Sequence, residues 1–159
     1  MSHIMAGFIM ELETARFGII TCKDEDILTF TQPMLGFHAY RHFVFVPGPP
    51  ESPLFWLQSV EDGELAFLLM DPASVLPDYG AGVRGEVRAE LGAEDENAIH
   101  LYTTVTIPRD GSGVRTNLKA PIAVNPDTRL ALQAVLDDPR YPVRFVLPGQ
   151  AERNPTQQD

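Results

Sequence analysis

Two histidines, His38 and His42, are four residues apart, which is the spacing that places two imidazoles on one face of a helix, where they can hold a metal ion. The three residues between them are Ala, Tyr and Arg, so the glutamate of the helical metalloprotease motif is missing. The segment is also short and follows Gly36, which does not favour a helix. We therefore predict neither a metal site nor any other cofactor.

The possible nucleophiles of the chain stand in contexts that would not activate them. The nucleophile elbow of hydrolases places glycines two residues before and after the serine, and the following serines lack that context: Ser52, Ser59, Ser74 and Ser112. Cys22 is followed by Asp24, Glu25 and Asp26, whose negative charges raise the pKa of a thiol and so disfavour the reactive thiolate. Neither residue type predicts a nucleophile.

The remaining polar or glycine-rich groups also have simpler explanations. Gly80-Ala81-Gly82 lacks the third glycine and the long following helix of a dinucleotide site. The run Glu94-Asp95-Glu96 is typical of a solvated turn rather than of a pair of catalytic carboxylates. His100 lies in a predicted strand, where a surface or edge position is expected. We predict no catalytic residue and no enzymatic activity.

A strand at Phe55–Ser59 carries the residues best suited to contact another protein. Alternation places Phe55, Leu57 and Ser59 on one face and Trp56 and Gln58 on the other. Trp56 is then either a core residue or, like Phe55, an anchor for a partner, since aromatic side chains are enriched at binding hot spots. The sequence leaves both interpretations open, and Phe55, Trp56 and Gln58 are our first candidate partner-binding residues.

A second candidate surface is the run from Arg115 to Asn125. It has the apolar spacing of a strand but is interrupted by polar and rigid residues, and Pro121 has no N–H to donate to a ladder. Such a run predicts an edge strand, a kink or a surface in use. The candidate partner-binding residues here are Asn117, Lys119, Pro121 and Asn125, and we expect both this run and the Phe55–Asp62 arm to be exposed.

Composition restricts the class of partner. The 159 residues contain 12 Lys and Arg against 22 Asp and Glu, which gives a net charge of −10. Such a surface repels phosphates, so we expect no direct binding of nucleic acid. It favours a basic protein partner, although acidity that merely keeps a protein soluble would look the same.

The single cysteine excludes an internal disulfide, and the sequence shows no signal peptide or membrane-spanning run. We therefore expect a cytoplasmic protein with no membrane association. The predicted organisation is a flexible N-terminus at 1–9, which is in part an expression remnant, a β domain at 10–147, and a disordered tail at 148–159.

Fourteen prolines and twelve glycines divide the chain into short runs, which favours an all-β fold, a single-domain antiparallel barrel with short helical turns. We predict a first strand at Leu12–Cys22 and a hairpin across Asp62-Gly63. Val83–Leu91 alternates apolar and charged residues and predicts a half-buried strand. Thr128–Leu136 fits a helix or a strand by pattern.

Several segments, in order along the chain, together form a recognisable signature. They are Phe17–Ile20, Asp26–Phe30, Leu35–Phe37, Phe55–Asp62, Leu65–Pro72, Asn117–Pro121, Asn125, Arg129, Gln133 and Tyr141–Arg144. This set resembles the FliW family of flagellar assembly factors. The resemblance covers roughly residues 10–147, and it implies that Thr128–Leu136 is a strand.

The resemblance implies a non-enzymatic regulator of flagellum assembly with two protein partners. One is flagellin, and the other is the carbon storage regulator, a basic dimeric RNA-binding protein that represses flagellin translation. Binding of flagellin would release the repressor, and export of flagellin would allow its capture. Two rivals remain: a small-ligand-binding β-barrel, and a hydrolase using His38 or His100 with a nearby acid.

Overall fold

The strands of the chain are short, as its frequent turn residues predict. The computed structural model describes residues 9–148, which hold the following strands and one α-helix: β1 (Ile9–Thr14), β2 (Gly18–Lys23), β3 (Leu28–Phe30), β4 (His42–Val46), β5 (Phe55–Ser59), β6 (Ala66–Met70), α1 (Val83–Val87), β7 (His100–Thr106), β8 (Arg115–Thr116), β9 (Ile122–Asn125), β10 (Leu130–Gln133) and β11 (Phe145–Val146). Single 3₁₀ turns lie at Asp24–Asp26, Pro72–Ser74 and Glu96–Ala98.

The predicted terminal segments fall almost wholly outside the described residues. The disordered tail is represented only by Pro148, and the flexible N-terminus only by Ile9. Ile9 is the first residue of β1 and pairs with Lys23.

Seven of the strands within residues 9–148 close into a barrel in the order β7-β6-β5-β4-β3-β10-β9, and β9 pairs back onto β7. This confirms the predicted all-β barrel. One pair, β3 with β10, is parallel, and the other six are antiparallel. A closed ring with an odd number of strands cannot alternate direction throughout, so one parallel pair is required.

Large apolar side chains fill the interior of the barrel. Phe30 and Phe43 are fully buried, and their rings meet edge to face with centroids 5.2 Å apart. Leu57, Leu69 and Ile122 are also fully buried in the same cluster. Each such side chain contributes roughly 1.5–3 kcal/mol by leaving water. A barrel packed in this way does not favour the small-ligand interpretation.

A second core lies outside the barrel wall, against β9 and β10. Ile122 of β9 faces the barrel interior, whereas Ala123 packs with Leu101 and Leu132 on the outer side. The segment around α1 covers this outer side with Tyr79, Val83, Leu91 and Ile99. Both faces of β9 are therefore buried, which explains its continuous run of buried residues.

The prediction of a strand at Val83–Leu91 is wrong. The segment forms α1 and a following turn, in which the N–H of Leu91 donates to the carbonyl of Val87. Val83, Val87 and Leu91 are four residues apart, so they satisfy a helical period as well as a period of two. Ala89, which the strand pattern would bury, is exposed.

The predicted first strand, Leu12–Cys22, is in fact a hairpin of β1 and β2 that lies outside the barrel. Its turn is fixed by Thr14, whose hydroxyl accepts from the N–H of Phe17 and donates to the carbonyl of Gly18. The tip meets the β5–β6 turn, where the N–H of Ala15 donates to the carbonyl of Gly63 at 2.9 Å.

Candidate partner-binding surface

The histidines do not form a metal or catalytic centre in the described part of the chain. His38 and His100 are exposed, and His42 begins β4 and pairs with Glu61 across the surface. Glu61 also accepts from the backbone N–H groups of Arg41 and His42, so the pair fastens β4 to the β5–β6 turn. Between residues 9 and 148, no group of three His, Cys, Asp or Glu side chains converges as metal ligands.

Cys22 is a buried apolar residue rather than a reactive thiol. It packs with Leu12 and Val44 beneath the β1–β2 hairpin. Burial raises the pKa of its thiol, and the negative charge of Asp26 raises it further. The predicted direction of the shift is confirmed, and the thiolate is disfavoured.

Gln58 is buried beneath the turn that follows β5 and supports that turn. Its side chain is fully buried, so the expectation that it is exposed for partner contact is wrong. Its Nε2 donates to the carbonyls of Ser59 and Leu65 at 3.1 Å, and those of Asp62 and Gly63 lie at 3.3 Å. The amide thus holds the β5–β6 turn against which the β1–β2 hairpin rests.

Phe55 belongs to an aromatic cluster at one mouth of the barrel. Its ring meets Phe45 at 5.7 Å and Tyr102 at 5.2 Å, in both cases edge to face. Phe45 is exposed and Phe55 is half-buried. The cluster extends the barrel core to the surface and gives Phe55 a position from which it can contact a partner.

Trp56 faces the outside of the barrel, and it is neither fully buried nor free. The tip of the β1–β2 hairpin covers it, with the guanidinium of Arg16 4.3 Å above its ring and the ring of Phe17 edge-on at 5.7 Å. A groove of about 660 Å³ runs from this cluster along β6 and β7 to Ile107 and Arg109. Trp56 therefore forms one end of an open groove whose lining exposes both apolar and polar atoms.

The run Arg115–Asn125 is interrupted between β8 and β9. Neither strand lies at a sheet edge, since β8 pairs with β7 and β11 and β9 pairs with β7 and β10, so the prediction of an edge strand is wrong. Asn117 organises the interruption, because its Oδ1 accepts from the N–H groups of Lys119 and Ala120 at 3.0 and 3.2 Å. Lys119 is half-buried, and its Nζ donates to the carbonyl of Leu136 at 3.3 Å. Both side chains have structural contacts, and both remain partly accessible.

The other two candidates in this run are buried, so the expectation that they are exposed is wrong. Pro121 is buried, and its carbonyl accepts from the N–H of Ala134. Asn125 is 1% exposed; its Nδ2 donates to the carbonyl of Leu91 and its Oδ1 accepts from the N–H of Asp127. Asn125 thus ties the β9–β10 turn to the segment around α1.

Sequence reasoning did not identify Arg16, Arg109, Phe45 or Tyr102 as members of these surfaces. Arg16 becomes visible only when Leu12–Cys22 is divided into a hairpin, which places it at a turn. The aromatic cluster needs the strand pairing, since Phe45 and Tyr102 belong to strands that are not neighbours in the barrel.

Comparison with known proteins gives a consistent result. A family model described as FliW protein matches residues 11–147. A flagellar assembly factor FliW of Ruminiclostridium cellulolyticum is 36% identical over 145 residues, which cover 91% of this chain and 98% of that protein. The corresponding factor of Bdellovibrio bacteriovorus is 39% identical over 137 residues, covering 85% and 77% respectively.

A solved structure agrees with the sequence comparisons. The crystal structure of a flagellar assembly factor FliW superposes with a TM-score of 0.77 at 29% identity, covering 86% of this chain and 96% of that one. Within residues 9–148, no helix has both the length and the apolar character needed to cross a membrane.

Proposed function

This chain belongs to the FliW family of flagellar assembly factors, and from that premise we propose that it is a non-enzymatic regulator that binds flagellin and the carbon storage regulator in competition. The observation that carries the proposal is the family match over residues 11–147. The protein acts in the cytoplasm, where flagellin is made and the repressor meets its messenger RNA.

The net charge of −10 supports the second partner. A basic RNA-binding protein presents a surface that attracts phosphates, and an acidic protein is attracted to the same surface. Capture by this chain therefore draws on the electrostatic attraction that the repressor uses for RNA. The same charge keeps this chain from binding RNA itself.

Competition provides the regulation. If flagellin binding excludes the repressor, each partner lowers the apparent affinity of the other by the same factor. Free flagellin then raises the concentration of free repressor, and translation of flagellin falls. No chemical step is needed, since the output is set by the two concentrations and the two affinities.

The exposed candidates are the contact residues of this proposal. Phe55 and Trp56 lie on opposite faces of β5, one at the aromatic mouth and one in the outer groove. Asn117 and Lys119 remain accessible in the kinked segment. The buried candidates Gln58, Pro121 and Asn125 are proposed to act by holding the backbone beneath these surfaces.

The test uses the purified full-length chain with monomeric flagellin and the repressor from the same organism. Calorimetric titration should show binding of each partner alone, and preincubation with flagellin should raise the apparent Kd for the repressor in proportion to the flagellin concentration. A ternary complex with unchanged affinities would contradict competition. Absence of binding to both partners would refute the proposed function as a whole.

A further inference from the structure

The groove that contains Trp56 lies on the outer face of the barrel, and its lining carries apolar side chains among polar ones. Its floor is formed by the outer side of β5, β6 and β7, with Trp56, Leu68 and Thr104 among the lining residues. Trp56 pairs with Leu68 across β5 and β6, so these two form a continuous apolar strip. At the far end, Ile107 is 58% exposed. Apolar side chains that are exposed side by side on an outer barrel face favour a surface that another molecule covers.

An arginine stands at each end of this strip. Arg16 lies over Trp56, and Arg109 lines the end beyond β7. Among residues 9–148 the ion pairs are His42 with Glu61 and Arg140 with Asp138, so neither groove arginine has an acidic partner within that part of the chain. In a chain with 22 acidic and 12 basic residues, two arginines without acids beside one apolar strip form a local exception to the overall charge.

The stacking of Arg16 leaves its donors available. A guanidinium that lies over an aromatic ring uses its face for that contact, while its N–H groups point outward in the plane. Those donors match a carboxylate, which can accept two parallel hydrogen bonds. The hairpin tip that carries Arg16 is fixed by the bonds of Thr14, so the guanidinium is partly preorganised.

We propose that the groove between Arg16 and Arg109 is the docking site for a segment of flagellin that carries carboxylates next to apolar side chains. The apolar side chains cover Trp56 and Leu68, and the carboxylates meet the two arginines. The inference rests on the proposed function, because it names which of the two partners occupies this groove. A basic repressor is disfavoured here, since its lysines and arginines would face two uncompensated cations.

The test compares charge reversals that leave the same net charge. Arg16→Glu and Arg109→Glu each change the net charge from −10 to −12, and so does Arg144→Glu, an exposed arginine in a different groove, beside Asn117. Either groove variant should weaken flagellin binding by about tenfold or more, whereas Arg144→Glu should change it by less than about twofold. Repressor binding should not weaken in either groove variant, since both substitutions add negative charge opposite a basic partner.

Trp56 supplies a second readout that does not depend on substitution, because it is the only tryptophan of the chain. The partners are used as variants in which any tryptophan is replaced by phenylalanine, so that the tryptophan fluorescence comes from Trp56 alone. Binding of flagellin should protect Trp56 from quenching by acrylamide. Binding of the repressor should leave the quenching of Trp56 unchanged. Thermal unfolding of each variant shows whether it is folded. If a variant does not fold, the quenching experiment on the unsubstituted chain still decides the proposal.

The outcomes separate the two proposals. If the unsubstituted chain binds neither partner, the proposed function fails. If it binds flagellin but the groove variants behave like Arg144→Glu, or Trp56 stays as accessible as before, only the groove assignment is overturned. A selective loss of repressor binding in the groove variants would also overturn it, since that would give the groove to the other partner.

Discussion

Replacement of Asn117 by Ala should destabilise the protein, because one side-chain oxygen serves two backbone donors. The Oδ1 of Asn117 accepts from the N–H groups of Lys119 and Ala120. A hydrogen bond of this kind contributes about 0.5–1.5 kcal/mol net, so two of them give roughly 1–3 kcal/mol. The segment is half-buried and water can replace part of the loss, which places the expected cost at about 1–2 kcal/mol.

The assay is thermal unfolding followed by circular dichroism. For a chain of this length, 1 kcal/mol corresponds to roughly 2–4 °C, so the Tm of Asn117→Ala should fall by roughly 2–8 °C. Asn117→Asp keeps the acceptor oxygen and should remain within about 0.5 kcal/mol of the original near neutral pH. Two N–H donors would hold the pKa of that carboxyl below its unfolded value, so its stabilising contribution would be lost as the pH falls through the folded pKa.

Lys119→Ala is the matched control, since Lys119 is the accessible neighbour and its side chain makes one long contact with a carbonyl. It should change stability by less than about 0.5 kcal/mol. Affinities for flagellin and the repressor are measured on the same samples. If Asn117→Ala left the Tm unchanged but lowered the affinity for either partner, the capping role would be refuted and Asn117 would be a contact residue. Equal losses for the Ala and Asp variants would show that the acceptor oxygen is not what matters.

Three further outcomes are expected. Gly63→Ala should destabilise the protein by about 1–3 kcal/mol in urea unfolding, because a Cβ there would lie 2.1 Å from the carbonyl oxygen of Glu13. The control is Gly85→Ala, whose Cβ meets only the flexible end of the Glu96 side chain and which should be neutral or stabilising in the same assay. Burial raises the pKa of Tyr79, so the unfolded chain releases this proton first and stability should fall as the pH rises above about 10. Tyr79→Phe removes the hydrogen bond to the Leu118 carbonyl and should lose about 1–2 kcal/mol of stability near neutral pH. Its stability should then decline less steeply at alkaline pH, and a slope identical to that of the original chain would contradict this cause. Stopped-flow association with the repressor should slow as salt screens the net charge, and a rate unchanged between low and physiological salt would exclude steering.

The barrel was predictable from the sequence because turn residues divide the chain at strand length and alternation survives in most strands. The error at Val83–Leu91 has a definite cause: apolar residues spaced by four fit both a helix and a strand. The exposure of Ala89, which a strand would bury, distinguishes the two. Tertiary packing against the outer side of β9 decided the segment in favour of a helix. The parallel pairing of β3 and β10 could be predicted only from the number of strands in the barrel, and the sequence pattern alone did not supply that number.

The candidate surface was predictable in part. Residue types drew notice to β5 and to the kinked run, and both contain accessible residues. Residue types could not show that Gln58 and Asn125 are buried, because a buried amide is identified by the carbonyls around it rather than by its neighbours in sequence. The arginines of the groove come from turns that are distant in the chain, and only the fold brings them to one strip.

The parallel pair of β3 and β10 also determines when the barrel can close during synthesis. Thr29 pairs with Leu130, so β3 has no partner on that side until about 100 further residues have been made. At about 5–20 residues per second, the interval is on the order of 5–20 s. Throughout it the nascent chain presents open strand edges and an unfilled apolar interior, which is the form most prone to aggregation. A chain that stops short of β9 and β10 lacks a wall of the barrel, so every surface carried by β4–β7 takes its shape only after these late strands are in place.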